Sequence, residues 1–163
     1  MKSTIQLTVL VLCALPLLAS CGQNHEPAES PGTAASSPVD GTPAMPRAPA
    51  PAGAKVFFLA PADGAVVTGT FKVEFGVEGM VVVRAGDNSP ASGHHHLLID
   101  TGLPDTGLPI PADANHVHFG DGSSSTELTL PSGEHTLQLL FADYLHIPHD
   151  PPVYSGRITV TVE

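Results

Sequence analysis

The chain has almost no thiol chemistry, few aromatic rings and few basic residues. Its two cysteines, Cys13 and Cys21, lie at the N-terminal end, and it contains no tryptophan and two tyrosines. Residues 54–163 therefore have no thiol for a disulfide or for a thiolate metal site. The same residues carry four basic side chains against thirteen acidic ones, a balance that disfavours nucleic acid and favours cations. The scarcity of aromatic rings also disfavours a sugar-stacking surface.

The N-terminal residues have the features of a bacterial signal peptide. Lys2 precedes an apolar run from Ile5 to Leu18, which is too short for a confident membrane span of about 20 residues. The run ends in Leu-Ala-Ser-Cys, which resembles the lipoprotein box, so residues 1–20 are predicted to be removed and Cys21 to be lipidated. Gly22 follows the cysteine, and by resemblance to enterobacterial sorting this favours the periplasmic side of the outer membrane.

Residues 21–53 are rich in proline, alanine, serine, threonine and glycine. Such a segment cannot bury enough apolar surface to offset its conformational entropy. We therefore predict that, after the lipidated cysteine, it is a disordered linker that holds a domain away from the membrane. The remaining residues, 54–163, are the usual size of one domain.

The pattern of residues 54–163 is strand-like, with short alternating runs separated by glycine, proline, asparagine and aspartate. From Thr70 to Glu78, for example, phenylalanine and valine alternate with polar residues and glycine, as is typical of a half-buried strand. The stretches 101–115 and 144–152 are predicted to be loops. We count about seven strands and no helix, which predicts a single antiparallel immunoglobulin-like β-sandwich, with a small barrel as the alternative.

Four blocks of sequence are distinctive: GHHHLLID at 93–100, IPAD through HVHFG at 110–120, LPSGEHTLQL at 130–139 and HIPHDPP at 146–152. In this order they resemble a bacterial envelope family classified as a domain of unknown function, the DUF4399 type. The resemblance implies an extracytoplasmic β domain, often behind a signal peptide. It implies no activity and no ligand, so function has to be argued from the side chains.

Histidine is the residue that carries chemistry here, because eight of the nine histidines lie between residues 94 and 149. Side chains two residues apart in a strand point to the same side, and their Cα atoms are about 6–7 Å apart. The imidazoles of such a pair can therefore converge on one ion. His95, in contrast, faces away from its neighbours. Two such pairs would supply four nitrogens, a set suited to Cu(II) or Zn(II). A proline-rich loop supplies two further candidates. The predicted metal ligands are His94, His96, His116, His118, His146 and His149.

Other roles are predicted for one further histidine, for one methionine and for four carboxylates. His135 is in phase with Leu137 and Leu139, which predicts a histidine at the edge of the core, and Met80 is predicted to be core. Carboxylates near the histidines are candidates for oxygen ligands or for acceptors that orient a ligand ring. These carboxylates are Asp100, Asp113, Asp143 and Asp150.

We interpret the chain as a lipid-anchored envelope protein, not an enzyme, that binds copper or zinc for sequestration or delivery. The alternative is an envelope structural or interaction module, with a protein partner, whose histidines are structural or respond to pH near neutrality. A wall-glycan partner is a third possibility. An enzyme is the least supported class, since no acid or base is fixed beside an open coordination position. No catalytic residue and no organic cofactor are therefore predicted.

Overall fold

The computed structural model describes residues 45–163. The predicted signal peptide, the lipidation site Cys21 and most of the predicted linker lie outside the described residues. Within them, no helix is long and apolar enough to cross a membrane.

The described residues form ten strands in two sheets, which confirms the predicted all-β, immunoglobulin-like sandwich. One sheet has the order β1-β3-β7, and the other has the order β2-β10-β8-β5-β4, with β6 paired to β5 and β9 paired to β8. The strands are β1 (Lys55–Ala60), β2 (Ala65–Val67), β3 (Thr70–Glu78), β4 (Val81–Val82), β5 (Ser92–Ile99), β6 (His116–His118), β7 (Ser125–Thr129), β8 (Gly133–Ala142), β9 (Pro148–Tyr154) and β10 (Ile158–Val162). About seven strands with antiparallel pairing were expected, but the larger sheet is mixed, because its short strands β2 and β4 pair in parallel with β10 and β5.

The core lies between the two sheets and is filled by one face of each. In β3, the predicted alternation holds: Phe71, Val73 and Phe75 are buried, whereas Lys72 is exposed. These side chains pack against residues of β5, β8 and β10 in one continuous apolar cluster. Alternation with period two therefore places the apolar half of each strand inside the sandwich.

Strands β5 and β8 are central in the larger sheet and are covered on both faces. Every residue of β5 is buried, as is every residue of β8 from Leu137 onward. The face turned away from the core is covered by the loop of residues 100–115, whose Ile110 packs with Leu98 and Leu140. This second, smaller apolar layer explains how polar side chains on the outer face of β5 come to be buried.

Two strands differ from the sequence-based predictions. Residues 148–152 were predicted to be loop but begin β9, which includes Pro151 and Pro152. The prolines are tolerated because β9 pairs with β8 only at its ends, with a register shift between Phe141 and Ala142. The three residues of β2 were not predicted; they pair in parallel with β10.

The folded body extends further toward the N-terminus than the predicted boundary at residue 54. Asp150 in β9 exchanges backbone hydrogen bonds with this segment: its N–H donates to the carbonyl of Ala48 at 2.9 Å, and its carbonyl accepts from the N–H of Ala50 at 2.9 Å. The guanidinium of Arg47 donates to the carbonyl oxygens of Pro148 and His149 and to the carboxylate of Asp150. Residues 47–50, which were assigned to the linker, therefore form a strap on β9.

Candidate metal centre

Four histidines from three separate segments come together on the outer face of β5. His94 and His96 lie two residues apart on this strand, as the spacing predicts. His118 of β6 is paired directly opposite His96 in the antiparallel register. His146 comes from the loop between β8 and β9. We call these four side chains the histidine cluster.

Several distances within the histidine cluster are close to those of a tetrahedral metal site. The Nε2 atoms of His94 and His96 are 3.2 Å apart, and those of His118 and His146 are also 3.2 Å apart. All six ring-centre distances lie between 4.7 and 5.9 Å. Four nitrogens about 2.0–2.1 Å from one ion at tetrahedral angles stand about 3.3 Å apart, with ring centres about 5 Å apart. The cluster is therefore close to the size that such a site requires.

The three histidines on strands form a candidate ligand set that does not include His146. Ligand atoms of His94, His96 and His118 all lie within 4.8 Å of one another. His94 and His96 are buried, His118 is exposed and His146 is half-buried. The cluster thus has a closed side within the sheet and an open side toward solvent.

Electrostatics keep the buried rings neutral. Desolvation, followed by the neighbouring imidazoles, lowers the pKa of His94 to about 4 and that of His96 to about 2. Desolvation and the nearby His146 also lower the pKa of His118. A neutral imidazole has a free lone pair, which is the form that binds a metal ion. Protons therefore compete weakly for these three rings near neutral pH.

The Nδ1 atoms of His94 and His96 are buried and have no hydrogen-bond partner among the described residues. Ligand histidines commonly donate this second N–H to a carbonyl or a carboxylate, which fixes the ring. Here the rings are held instead by packing, because Ala142 lies opposite His94 across the β5–β8 pair and Leu140 lies opposite His96.

The loop that presents His146 is organised by a buried carboxylate. The carboxylate of Asp143 accepts hydrogen bonds from the backbone N–H groups of Leu145 (2.8 Å) and Ile147 (3.0 Å). His146 has a positive φ of 65°, and its carbonyl accepts from the N–H of Ile110 at 2.9 Å. The fourth histidine is therefore held by a tight turn and by the loop that covers the sheet.

Glycine at position 120 leaves room for the ring of His118. A Cβ atom added to Gly120 would lie 2.6 Å from Nε2 of His118 and closer still to Cε1, which real Cβ atoms do not tolerate. The sequence analysis did not single out this residue. Its signal was the HVHFG block, in which a glycine follows the second histidine by two positions.

The other two predicted ligands lie outside the histidine cluster. The Nδ1 of His116 is 2.7 Å from the carboxylate of Asp113, so its ring is engaged elsewhere although it shares a face with His118. His149 is buried, with Nε2 3.1 Å from the carbonyl of Ser92 and Nδ1 3.4 Å from that of Phe141. The predicted set of six thus divides into four residues that converge and two that do not.

The remaining two histidines of the domain also have separate environments. His95 faces away from its neighbours, as predicted, and its ring lies in the core, with its centre 4.7 Å from that of Phe75 and 5.0 Å from that of Phe141. His135 is at the start of β8, where Nδ1 is 2.7 Å from the carboxylate of Asp100 and Nε2 is 2.9 Å from the carbonyl of Pro131.

None of the four candidate carboxylates is part of the histidine cluster. Asp100 and Asp113 each contact a histidine outside it. Asp143 binds the backbone of its own loop, and Asp150 contacts Arg47. The convergent donors are therefore all imidazole nitrogens.

A cavity of about 580 Å³ adjoins the open side of the cluster. It is lined by His96, His118 and His146 of the cluster, by apolar residues of the covering loop and β6, and by the contacting pair Asp113 and His116. The cavity could not be predicted from local sequence patterns, because its wall belongs to a loop whose path depends on packing against the sheet.

The fold and the cluster define an immunoglobulin-like β domain with a candidate four-histidine metal centre. Residues 73–163 match the family described as Domain of unknown function (DUF4399), and the chain belongs to this family. No curated protein matches the chain. Among solved structures, the fibronectin(III)-like modules of Clostridium thermocellum CbhA are similar to it, with a TM-score of 0.35 and 13% identity over 66% of this chain and 92% of that chain.

Proposed function

We propose that this protein binds one divalent transition-metal ion through His94, His96, His118 and His146 and serves to sequester or deliver it. The observation that carries the proposal is the convergence of four imidazoles, with Nε2 atoms 3.2 Å apart in two pairs. Two of the rings are buried, and burying polar nitrogens side by side is costly unless they share a partner. A single ion gives all four nitrogens that partner.

The donor set favours Zn(II) among the candidate ions. Zinc has no geometric preference of its own and accepts tetrahedral nitrogen donors, whereas Cu(II) prefers tetragonal arrangements. No thiolate or thioether is in the cluster to select Cu(I). Zinc is therefore the first ion to test, and copper the second.

A structural role for the cluster is the competing function, and one observation favours it. A separation of 3.2 Å between two ring nitrogens is also compatible with an N–H···N hydrogen bond. In that case the four histidines form two hydrogen-bonded pairs, one within β5 and one that joins β6 to the His146 loop. Such pairs need no metal ion.

We place this function in the cell envelope, with the domain attached by a lipid on Cys21 to the periplasmic side of the outer membrane. The support is the signal-like segment and its terminal Leu-Ala-Ser-Cys sequence. Membrane fractionation of cells that express the wild type or a Cys21→Ala variant tests this assignment. Loss of the variant from the membrane fraction is expected, and an unchanged distribution contradicts it.

Metal stoichiometry separates binding from a structural role. The tag-free protein is titrated with Zn²⁺ against a chromophoric chelator, and its metal content is measured by mass spectrometry after dialysis. We expect one Zn²⁺ per chain. Because His118 is exposed, His118→Ala removes a ligand with little effect on folding, and we expect it to weaken Zn²⁺ binding by about 100-fold or more.

His116→Ala is the matched control, since it removes a histidine from the same strand but outside the histidine cluster. Its Zn²⁺ affinity should remain within about threefold of the wild type, because outer residues that do not hold a ligand change affinity little. A wild type that binds no Zn²⁺ or copper, or a His118→Ala variant that binds as tightly as the wild type, contradicts the proposal.

A further inference from the structure

The cavity beside the histidine cluster is large enough to hold a small organic molecule. Its volume of about 580 Å³ is within the range of ligand pockets. Ile110, Pro111, Ala112, Ala114 and Val117 provide its apolar wall, and three histidines of the cluster line it as well. An occupant of this cavity would have its apolar part against the wall and one end at the metal site.

Charge determines which chemical group of such a molecule would bind at the metal site. Four neutral imidazoles leave a bound divalent ion with both of its positive charges, because none of them is an anionic ligand. Among the described residues that line the cavity, Asp113 is the only acid, and its carboxylate already accepts from the backbone N–H of Asn115 and contacts the ring of His116. An anionic group that enters the cavity would therefore meet a positive charge that the protein does not neutralise.

The histidine cluster also provides a position at which such a group could bind. His94, His96 and His118 belong to hydrogen-bonded strands, whereas His146 lies in a loop at a positive φ that non-glycine residues adopt less readily. The ring centres of His96 and His146 are the most widely separated pair, at 5.9 Å. Sites with three protein ligands and one exchangeable position are those that accept external ligands.

We propose that the cavity binds a small monocarboxylate, whose carboxylate coordinates the bound ion in place of His146 or beside it and whose alkyl chain lies on the apolar wall. This inference rests on the proposed function, since the ion supplies the charge that attracts the carboxylate.

Cobalt substitution tests the proposal with a direct signal. Tetrahedral Co²⁺ has visible absorption bands that change when a new ligand coordinates, so the Co²⁺-loaded protein is titrated with acetate, butanoate and hexanoate. We expect the bands to change and the affinity to increase about three- to fourfold for each methylene that the wall covers. Hexan-1-ol has the same chain length as hexanoate without the charge, and it should leave the bands unchanged.

A cavity-filling variant tests the apolar wall. Ala112→Phe places a ring in the cavity without removing a ligand, and it should preserve Co²⁺ binding while abolishing the gain from acetate to hexanoate. Ala52→Phe makes the same substitution in an exposed turn far along the chain, and it should behave as the wild type.

The outcomes separate this proposal from the one on which it rests. A protein that binds no Co²⁺, Zn²⁺ or copper overturns the proposed function and this inference together. A protein that binds Co²⁺ with bands that no carboxylate changes overturns this inference alone. Equal affinity for acetate and hexanoate, or an Ala112→Phe variant that still favours the longer chain, overturns the assignment of the cavity as the binding site.

Discussion

His95→Leu should stabilise the metal-free protein, and the gain should increase as the pH falls. Both ring nitrogens of His95 are buried and have no hydrogen-bond partner among the described residues. Leucine is close to histidine in volume and has no polar atom to bury. Removing buried groups that lack partners should raise the free energy of unfolding by about 1–3 kcal/mol at pH 7.5.

The pH dependence follows from the pKa of the same ring. Desolvation lowers the pKa of His95 from 6.5 to about 4 in the folded protein. Below pH 6.5 the unfolded chain therefore binds a proton that the folded chain does not, so acid favours unfolding. Integrated from pH 7.5 to pH 5, this single group lowers the free energy of unfolding by about 2 kcal/mol. Leucine abolishes this loss.

Urea unfolding of both proteins at pH 7.5, 6 and 5, with a chelator present to remove metal, measures the difference. The contribution of His96 cancels when the two free energies are subtracted. His95 helps to lower the pKa of His94, so its replacement also reduces the acid destabilisation from His94, which widens the gap in the same direction. The gap in favour of His95→Leu should widen by about 2 kcal/mol between pH 7.5 and pH 5. A gap that stays constant or narrows refutes the argument that His95 is a neutral, unpaired core residue. Zn²⁺ affinity, measured separately, should be unchanged, because this ring faces away from the cluster.

Two further substitutions test the surroundings of the cluster. Gly120→Ala adds a Cβ where the ring of His118 lies and should weaken Zn²⁺ binding about tenfold or more. Gly156→Ala is the control, because a Cβ added there has nothing within 4 Å, and it should bind Zn²⁺ as the wild type does. Equal affinities of the two variants in a chelator competition would disprove the steric argument. Asp100→Asn removes the carboxylate that raises the pKa of His135, a stabilisation present below pH 6.5 and lost as pH rises through the raised pKa. Thermal unfolding should therefore show a larger deficit at pH 6 than at pH 9, and the opposite order would contradict this assignment.

Local pattern was enough to predict most of the strands and the facing of their side chains. The alternation of Phe71, Val73 and Phe75 predicted β3, and the period of two correctly placed His94 and His96 on one face. Proline content misled the prediction of β9, because an irregular edge strand tolerates residues that a regular central strand does not.

The composition of the cluster could be predicted only in part. Same-face spacing applies equally to His116 and His118. It cannot show that Asp113 contacts the ring of His116, whereas the ring of His118 joins the cluster. His146 joins the cluster through the turn at Asp143 and the loop around Ile110, which depend on tertiary packing. Contacts between residues far apart in sequence, rather than local propensity, therefore decide which histidines meet.

The pairing of β6 with β5 also has a consequence for folding. The four histidines span residues 94 to 146, and the cluster exists only when His118 is opposite His96. A slip of one residue in this pairing would place Val117 there and turn the imidazole to the other side of the sheet. An ion that binds the cluster therefore selects one strand register among those available during folding, and it can do so only after distant parts of the chain have already assembled.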